Sequence, residues 1–300
     1  MKVLVTGSSG FVGRHLAESW VEDGADVTCV DVRDAVSAVD ALDFFRSDTT
    51  RFDLLVHCAA IVGGRANIEG DPLAVATNLA LDSWAFRWAS RHAERVVYFS
   101  SSAAYPVELQ TRAAPTSMLA EWMINLDQPR TPDATYGLAK LTGEQLAAEA
   151  DSWGLPVHVF RPFSGYGWDQ DLDYPFPAFV QRACRGDDPF TVWGDGTQTR
   201  DFVHISDVVG AVRAAVNNDV RGPVNLCTGV ATSFLDLAAL CLRKAGSLAS
   251  VETLPDKPAG CWRRVGDPSR LLEFYTPAVT LEQGVAESVG TLRFLGLVDR

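Results

Sequence analysis

The sequence predicts an α/β protein: a doubly wound parallel sheet, followed by a smaller C-terminal α/β domain. Three observations predict it. Short β-branched runs alternate with amphipathic helical stretches through the first half of the chain. The strand-like runs are continuously apolar, as strands covered on both faces must be. From about residue 165 prolines and a Gly-Asp-Gly turn break the alternation.

In chain order, Val3–Thr6, Asp26–Val30, Leu54–His57, Val96–Ser100 and Val157–Phe160 read as strands. Gly13–Asp23, Asp71–Ala93 and Thr135–Ser152 read as helices between them. This succession gives βαβ units and hence a parallel sheet. The stretch Val107–Asp133, with Pro115 and Pro129, reads as a loop holding one short helix around Met118–Asn125. Beyond it, Pro175, Pro177, Pro189 and Gly194-Asp195-Gly196 mark the change of texture. The expected division is 1–164 and 165–300. Helices near Ser206–Asn217 and Ser233–Ala245 fall in the second part, and strands near 199–204 and 224–228 return to the first.

Of the 300 residues, 26 are Lys or Arg and 38 are Asp or Glu, a net charge of −12. Phosphate backbones require a basic face, so nucleic acid is excluded as a partner. A small anionic ligand would be repelled at long range and must be held by local arginines and backbone N–H groups. No apolar run reaches the roughly 20 residues of a membrane span. Lys2-Val3-Leu4-Val5 runs into a glycine turn without a signal-peptide pattern, so a cytoplasmic address is expected. The six cysteines form no CxxC pair and none stands near a His at metal spacing. They read as reduced thiols, and no metal site is expected.

Two motifs carry chemistry. Gly7-Ser8-Ser9-Gly10-Phe11-Val12-Gly13 follows the first strand and opens the first helix. Glycines there let the backbone approach a pyrophosphate while helix N–H groups and the dipole favour its charge. Asp31 ends the second strand, where a carboxylate accepts hydrogen bonds from ribose hydroxyls and repels a 2′-phosphate. This favours NAD over NADP, although Arg33 could host a 2′-phosphate. Further on, Tyr136-Gly137-Leu138-Ala139-Lys140 places a phenol and an ammonium on one helix face. The ammonium would lower the phenol pKa toward neutrality, making a base for a hydroxyl proton as hydride leaves carbon. The strand at Val96–Phe99 ends in Ser100-Ser101-Ser102, at the sheet edge where ligands bind.

In this order the motifs resemble the extended short-chain dehydrogenase/reductase family, in particular its NAD-dependent nucleotide-sugar epimerases and dehydratases. The resemblance runs over roughly residues 2 to 290 and is strengthened by Trp193–Phe202, the stretch most specific to sugar-nucleotide members. It implies a Rossmann domain and a homodimer. It implies NAD held by Gly7, Ser9, Gly10, Phe11, Val12, Gly13 and Asp31. Asp40 and Ala41 would lie near adenine. Cys58, Ala59, Ala60, Asn78, Ser100 and Pro162 would lie along the rest of the cofactor, with Tyr136 and Lys140. Tyr136 would be the base, Lys140 its tuner, and Ser102 the group aligning the sugar hydroxyl, with Ser101 as runner-up. A nucleotide-sugar substrate would meet Ser102, Ser164, Phe179, Arg200, Arg263 and Arg264.

Departures narrow the reaction. Dehydratases carry an acidic pair after the catalytic Ser or Thr; here Ala103 and Ala104 stand there. Ser101-Ser102, Tyr105-Pro106 and Ala59–Gly64 resemble GDP-mannose 3,5-epimerases and GDP-fucose synthases. The Cys those enzymes use is missing, and Trp168–Phe176 offers only Asp169, Asp171 and Asp173. Only eight residues separate Asp31 from Asp40, so the adenine edge of the sheet is expected to be trimmed. The leading expectation is C4 epimerisation through a transient 4-keto sugar. The alternatives are a C3/C5 epimerase or keto-sugar nucleotide reductase, and a dinucleotide-binding regulator without catalysis.

Overall fold

The computed structural model describes residues 1–34, 36, 38–62, 71, 73–114, 118–258 and 260–298. Gly63, Gly64 and Pro115, which the sequence reading used, lie outside the described residues.

Six parallel strands form the main sheet: β1 (Lys2–Thr6), β2 (Asp26–Val30), β3 (Leu54–His57), β4 (Val96–Phe99), β5 (Val157–Pro162) and β10 (Gly222–Leu226). Their order is β10-β5-β4-β3-β1-β2. Each strand splits its side chains between two cores, as the two-residue period requires. In β1, Val3 and Val5 pack on one face and Leu4 on the other. The first face is covered by α1 (Phe11–Glu22) and α6 (Ile205–Asn217), through Leu16, Trp20, Val208 and Val212. The second is covered by α2 (Ala41–Ser47), α3 (Ala74–His92) and α4 (Ala134–Ser152), through Phe45, Phe86, Trp88 and Ala147. The result is a doubly wound sheet. The chain turns from β2 back past β1 to β3, so the switch point lies beyond the carboxyl ends of β1 and β3. β2 is the edge strand and only a two-turn helix follows it, a trimmed adenine side as the short spacing implied.

A second core gathers around Tyr166, Phe176, Phe190, Phe202, Leu237, Cys241 and Val285. It is built by α5 (Pro175–Arg185), α7 (Phe234–Ala245) and α8 (Leu281–Phe294) with small sheets. In these, β6 (Ser164–Tyr166) pairs with β9 (Phe202–His204), and β7 (Phe190–Trp193) with β12 (Val251–Leu254). Between β11 (Thr232–Ser233) and β13 (Arg263–Arg264) lies β8 (Thr199–Arg200).

Three expectations change. The stretch 199–204 does not return to the main sheet, because β8 and β9 each pair within the small sheets; only β10 returns. Helix α6, assigned by sequence to the second part, packs on the main sheet beside α1. The expected short helix at Met118–Asn125 is a single 3₁₀ turn, Glu121–Met123, and a second 3₁₀ turn spans Val107–Gln110. Among the described residues no helix is long and apolar enough to cross a membrane.

Candidate active site

The glycine turn closes on itself. Gly7 has φ +71°, and a Cβ there would sit 2.6 Å from the amide nitrogen of Ala59. A Cβ on Gly13 would sit 2.1 Å from the Gly7 carbonyl oxygen. Both positions therefore require glycine, and the turn is pressed against the backbone of Cys58 and Ala59 at the switch point. Gly10 caps α1 without a side-chain hydrogen bond, and no acidic residue occupies its first turn, which carries Phe11, Val12 and Gly13. An uncapped helix N-terminus behind a turn with no room for Cβ atoms suits a pyrophosphate. The side chain of Asp31 is buried. Its carboxylate accepts from the amide of Ser9 at 2.9 Å and from the amide of Arg33 at 2.7 Å. Its position at the end of β2 suits ribose hydroxyls, and the Arg33 guanidinium stands 3.7 Å away. These residues fit a dinucleotide.

The other residues expected along the cofactor are engaged within the protein. Asp40 caps α2, accepting from the Leu42 amide at 2.7 Å, and Ala41 is buried beneath it. Asn78 is buried and clamps Ile61, accepting from its N–H at 2.7 Å and donating to its C=O at 2.9 Å. It thus holds the strand end carrying Cys58, Ala59 and Ala60. Burial pushes the Cys58 thiol up to about 12, against the pull of Lys140. Ser100 is buried and donates to Glu144 at 2.5 Å, facing the interior. Glu144 in turn forms a two-pronged ion pair with Arg161, at 2.8 and 2.6 Å. Pro162 ends β5, opposite Leu226.

At the head of α4, Tyr136 lies near Ser101, whose hydroxyl favours its ionised form. Ser102 is buried in the 3₁₀ turn Ser102–Ala104, which Ser101 caps. The serine beside the phenol is therefore the runner-up of the sequence reading. Gly137 makes the approach possible, since a Cβ there would lie 2.2 Å from the Ala103 carbonyl oxygen. Lys140 is buried one turn along the helix, its Nζ 5.1 Å from the centre of the Tyr98 ring. Here the expected effect on the phenol reverses. Burial first, then the Asp82 carboxylate, push Tyr136 up to about 12, while the Ser101 hydrogen bond pulls it back. A cavity of about 40 Å³ opens beside it, lined by Ile61, Asp71, Ala74, Asn78 and Thr135.

Asp82 was not anticipated. Its carboxylate accepts from the Tyr98 hydroxyl at 2.7 Å and lies 3.2 Å from His57 Nε2. His57 Nδ1 meets the Thr6 hydroxyl at 2.8 Å. Gly143 leaves the space, since a Cβ there would fall 1.8 Å from the Tyr98 hydroxyl. No local motif announces this network, because it joins β1, β3, α3, β4 and α4.

The expected substrate residues divide. Arg200 and Arg264 stand side by side on paired strands, with Arg263 beside Thr199. Arg200 donates to the Cys261 carbonyl at 2.9 Å and lies over Phe234. Arg264 donates to Gln110 at 2.6 Å and pairs with Asp133, the residue capping α4. The Ser164 backbone N–H donates to the Asp201 carbonyl, just ahead of β9, at 2.9 Å. Phe179 packs in the second core against Phe190 and Phe234. Asp201 is the missed residue here: fully buried, it accepts from Thr228, Gly229 and Gly266 and ties β10 to β13. Asp169 is bound to Arg14 at 2.8 Å and His15 at 2.9 Å on α1.

Known proteins share this fold. A UDP-glucose 4-epimerase of Thermotoga maritima, solved with UDP-glucose, superposes with a TM-score of 0.85 at 23% identity, covering 98% of this chain and 99% of that one. An uncharacterised UDP-glucose epimerase of Bacillus subtilis is 26% identical, over 98% of this chain and 99% of its own length. A GDP-mannose 3,5-epimerase of Arabidopsis thaliana is 26% identical, over 95% of this chain and 80% of its own. The model of one family, described as the NAD dependent epimerase/dehydratase family, matches residues 3–227, which hold the glycine turn, Ser101, Tyr136, Lys140 and Arg200. The chain therefore belongs to the NAD dependent epimerase/dehydratase family, whose members act on nucleotide sugars.

Proposed function

We propose that this enzyme inverts C4 of a nucleotide sugar through a transient 4-keto intermediate, with Tyr136 as the base. One observation carries the reading. Tyr136 lines the small cavity with Ser101 close behind it, whereas the positions that would serve water elimination are the buried Ala103 and Ala104. Burial raises the carboxyl of Asp169, an acid of the loop after β6, but hydrogen bonds and charge from His15 and Arg14 outweigh it and bring it down to about 2, so it stands ionised and engaged rather than poised at a second carbon. C4 inversion needs no second base.

In this reading Ser101 orients the 4-hydroxyl and Tyr136 takes its proton while the C4 hydrogen leaves as hydride. NAD, when bound, supplies the hydride acceptor and a cationic ring beside the phenol. The ketone turns in the pocket, hydride returns to its other face, and Tyr136 gives the proton back. The glycine turn and the head of α1 would hold the pyrophosphate, and Asp31 the adenosine ribose. Arg200, with Arg263 and Arg264, would face the substrate diphosphate.

The experiment is incubation of the purified protein with UDP-, GDP- and dTDP-hexoses in deuterated water. C4 epimers that keep their C–H bonds are the expected products. Deuterium at C3 or C5, net consumption of reduced cofactor, or no C4 interconversion of any of these sugars would each reject the reading. Tyr136→Phe is expected to lower turnover by at least about 10²-fold.

A further inference from the structure

Four charged side chains lie inside the protein around the catalytic pair: Asp82, Lys140, Glu144 and Arg161, each between 1% and 3% exposed. Glu144 and Arg161 neutralise each other through their two-pronged ion pair. That leaves one buried ammonium and one buried carboxylate, Lys140 and Asp82. Both lie against Tyr98, whose hydroxyl donates to Asp82 at 2.7 Å and whose ring centre is 5.1 Å from Lys140 Nζ, and since an isolated charge at such depth is costly, each stabilises the other. Asp82 is held in place by the Tyr98 hydroxyl and by His57, which is itself anchored on Thr6. As an ionised carboxylate it can only accept these bonds. With the interior balanced at zero, a phenolate at Tyr136 would be a surplus buried anion.

We infer that Asp82 is the counter-charge of Lys140, a positioning residue that keeps Tyr136 in its phenol form until a cationic group enters the pocket. The inference rests on Tyr136 being the base, as proposed above. It departs from the simple expectation for a Tyr/Lys pair, in which the ammonium alone stabilises the phenolate. The perturbations agree. Burial would raise Asp82, but Lys140 and the bonds from His57 and Tyr98 hold it below the usual carboxylate range. The same carboxylate pushes Tyr136 upward.

The other titratable groups facing the pair are His57, Cys58, Tyr98, Glu144 and Tyr174. Burial holds the Cys58 thiol and the Tyr174 phenol at about 12, and Tyr98 well above its ordinary value. These three add no charge near neutral pH. The charge that alters Tyr136 therefore comes from a ligand, from loss of Asp82 or from a proton on His57, which lies 3.2 Å from that carboxylate.

The test has two readouts and neither is turnover. The first is urea unfolding of the full chain as wild type, Lys140→Met, Asp82→Asn and the double variant. A counter-charge predicts that the double variant is more stable than Lys140→Met, because a neutral amide replaces a stranded carboxylate. A double variant less stable than Lys140→Met overturns the inference, and this comparison decides even where Asp82→Asn alone does not fold. The second is the ¹³Cζ-tyrosine NMR titration of Tyr136, assigned with Tyr136→Phe, with and without added NAD. Asp82→Asn should move the apparent pKa down by about one unit or more. Tyr98→Phe, which removes a bond to Asp82 but no charge, should not. No shift in Asp82→Asn, or an equal shift in both, overturns it. Failure of the epimerase assay leaves both readouts intact, so the two readings fall separately.

Discussion

Gly137 shapes the neighbourhood of the proposed base. Without a side chain it lets the head of α4 lie against the Ala103 carbonyl, and in the proposed reading Ser101 rather than Ser102 serves Tyr136. Ser101→Ala is therefore expected to lower kcat by about 10²-fold, the scale of a lost positioning contact to a general base. Ser102→Ala, at a buried turn position, should change kcat far less and show its effect in stability. Steady-state kinetics of the two variants checks this, and a larger kcat loss in Ser102→Ala would reverse the assignment. The Tyr/Lys pair and the glycine turn were legible in the sequence because both are local: spacing along one helix or one turn defines them. The serine was not. Three serines in a row end the strand, and their facing is set by a 3₁₀ turn packed on a distant glycine. Asp82 was illegible for the same reason, since four other elements bring its partners.

Among the elements, α4 does most to join the site to the scaffold. Tyr136, Lys140 and Glu144 stand four residues apart on one face, so one helix presents the proposed base, a buried ammonium and an anchor. The anchor is the Glu144–Arg161 pair, extended to Ser100 on β4 and to the Tyr105 hydroxyl at 3.1 Å. Removing one charge strands the other inside the protein. Glu144→Gln should cost about 3–5 kcal/mol in urea unfolding; a loss within experimental error would mean that Arg161 finds another partner or reaches water. The loop after β6 is joined to α1 in a milder way, through Asp169, Arg14 and His15. The folded-state pKa of Asp169 is depressed to about 2, below the ordinary value of 3.8. Its contribution is thus fully present above pH ~4 and lost as pH falls toward 2. Acid titration of unfolding stability should fall more steeply between pH ~4 and 2 in wild type than in Asp169→Asn. Parallel curves would show that the clasp contributes nothing. The elements of the first half were readable because parallel strands are apolar throughout. Helix α6 and the strands near residue 200 were not, because amphipathic periodicity shows that a helix is covered without showing by which sheet.

At the scale of the molecule, α3 and α4 lie on one face of the main sheet, and their remaining sides face outward. Toward their N-terminal halves the outward positions are small or apolar: Ala76, Thr77 and Ser83 are exposed, Leu73 is 77% exposed and Leu138 is 48% exposed, while the exposed charges Arg87, Arg91 and Glu149 stand farther along. Charged side chains would be expected on a helix pair that stays in water. A second copy related by a two-fold axis would present the same pair and form a four-helix seam, a self-complementary interface of the commonest kind. Such a seam would have to remove about 1,200–2,000 Å² from water to be stable. It would also brace α4, which carries Tyr136 and Lys140, from the side opposite the sheet. The expectation is a homodimer of twice 32.5 kDa by sedimentation equilibrium at micromolar concentration. Leu138→Arg would place a charge at the seam, and it should shift the population toward monomer and lower the unfolding midpoint at equal protein concentration. A wild-type chain that sediments at 32.5 kDa would leave these apolar positions to some other contact, and α4 would then owe its rigidity to Glu144 and Arg161 alone.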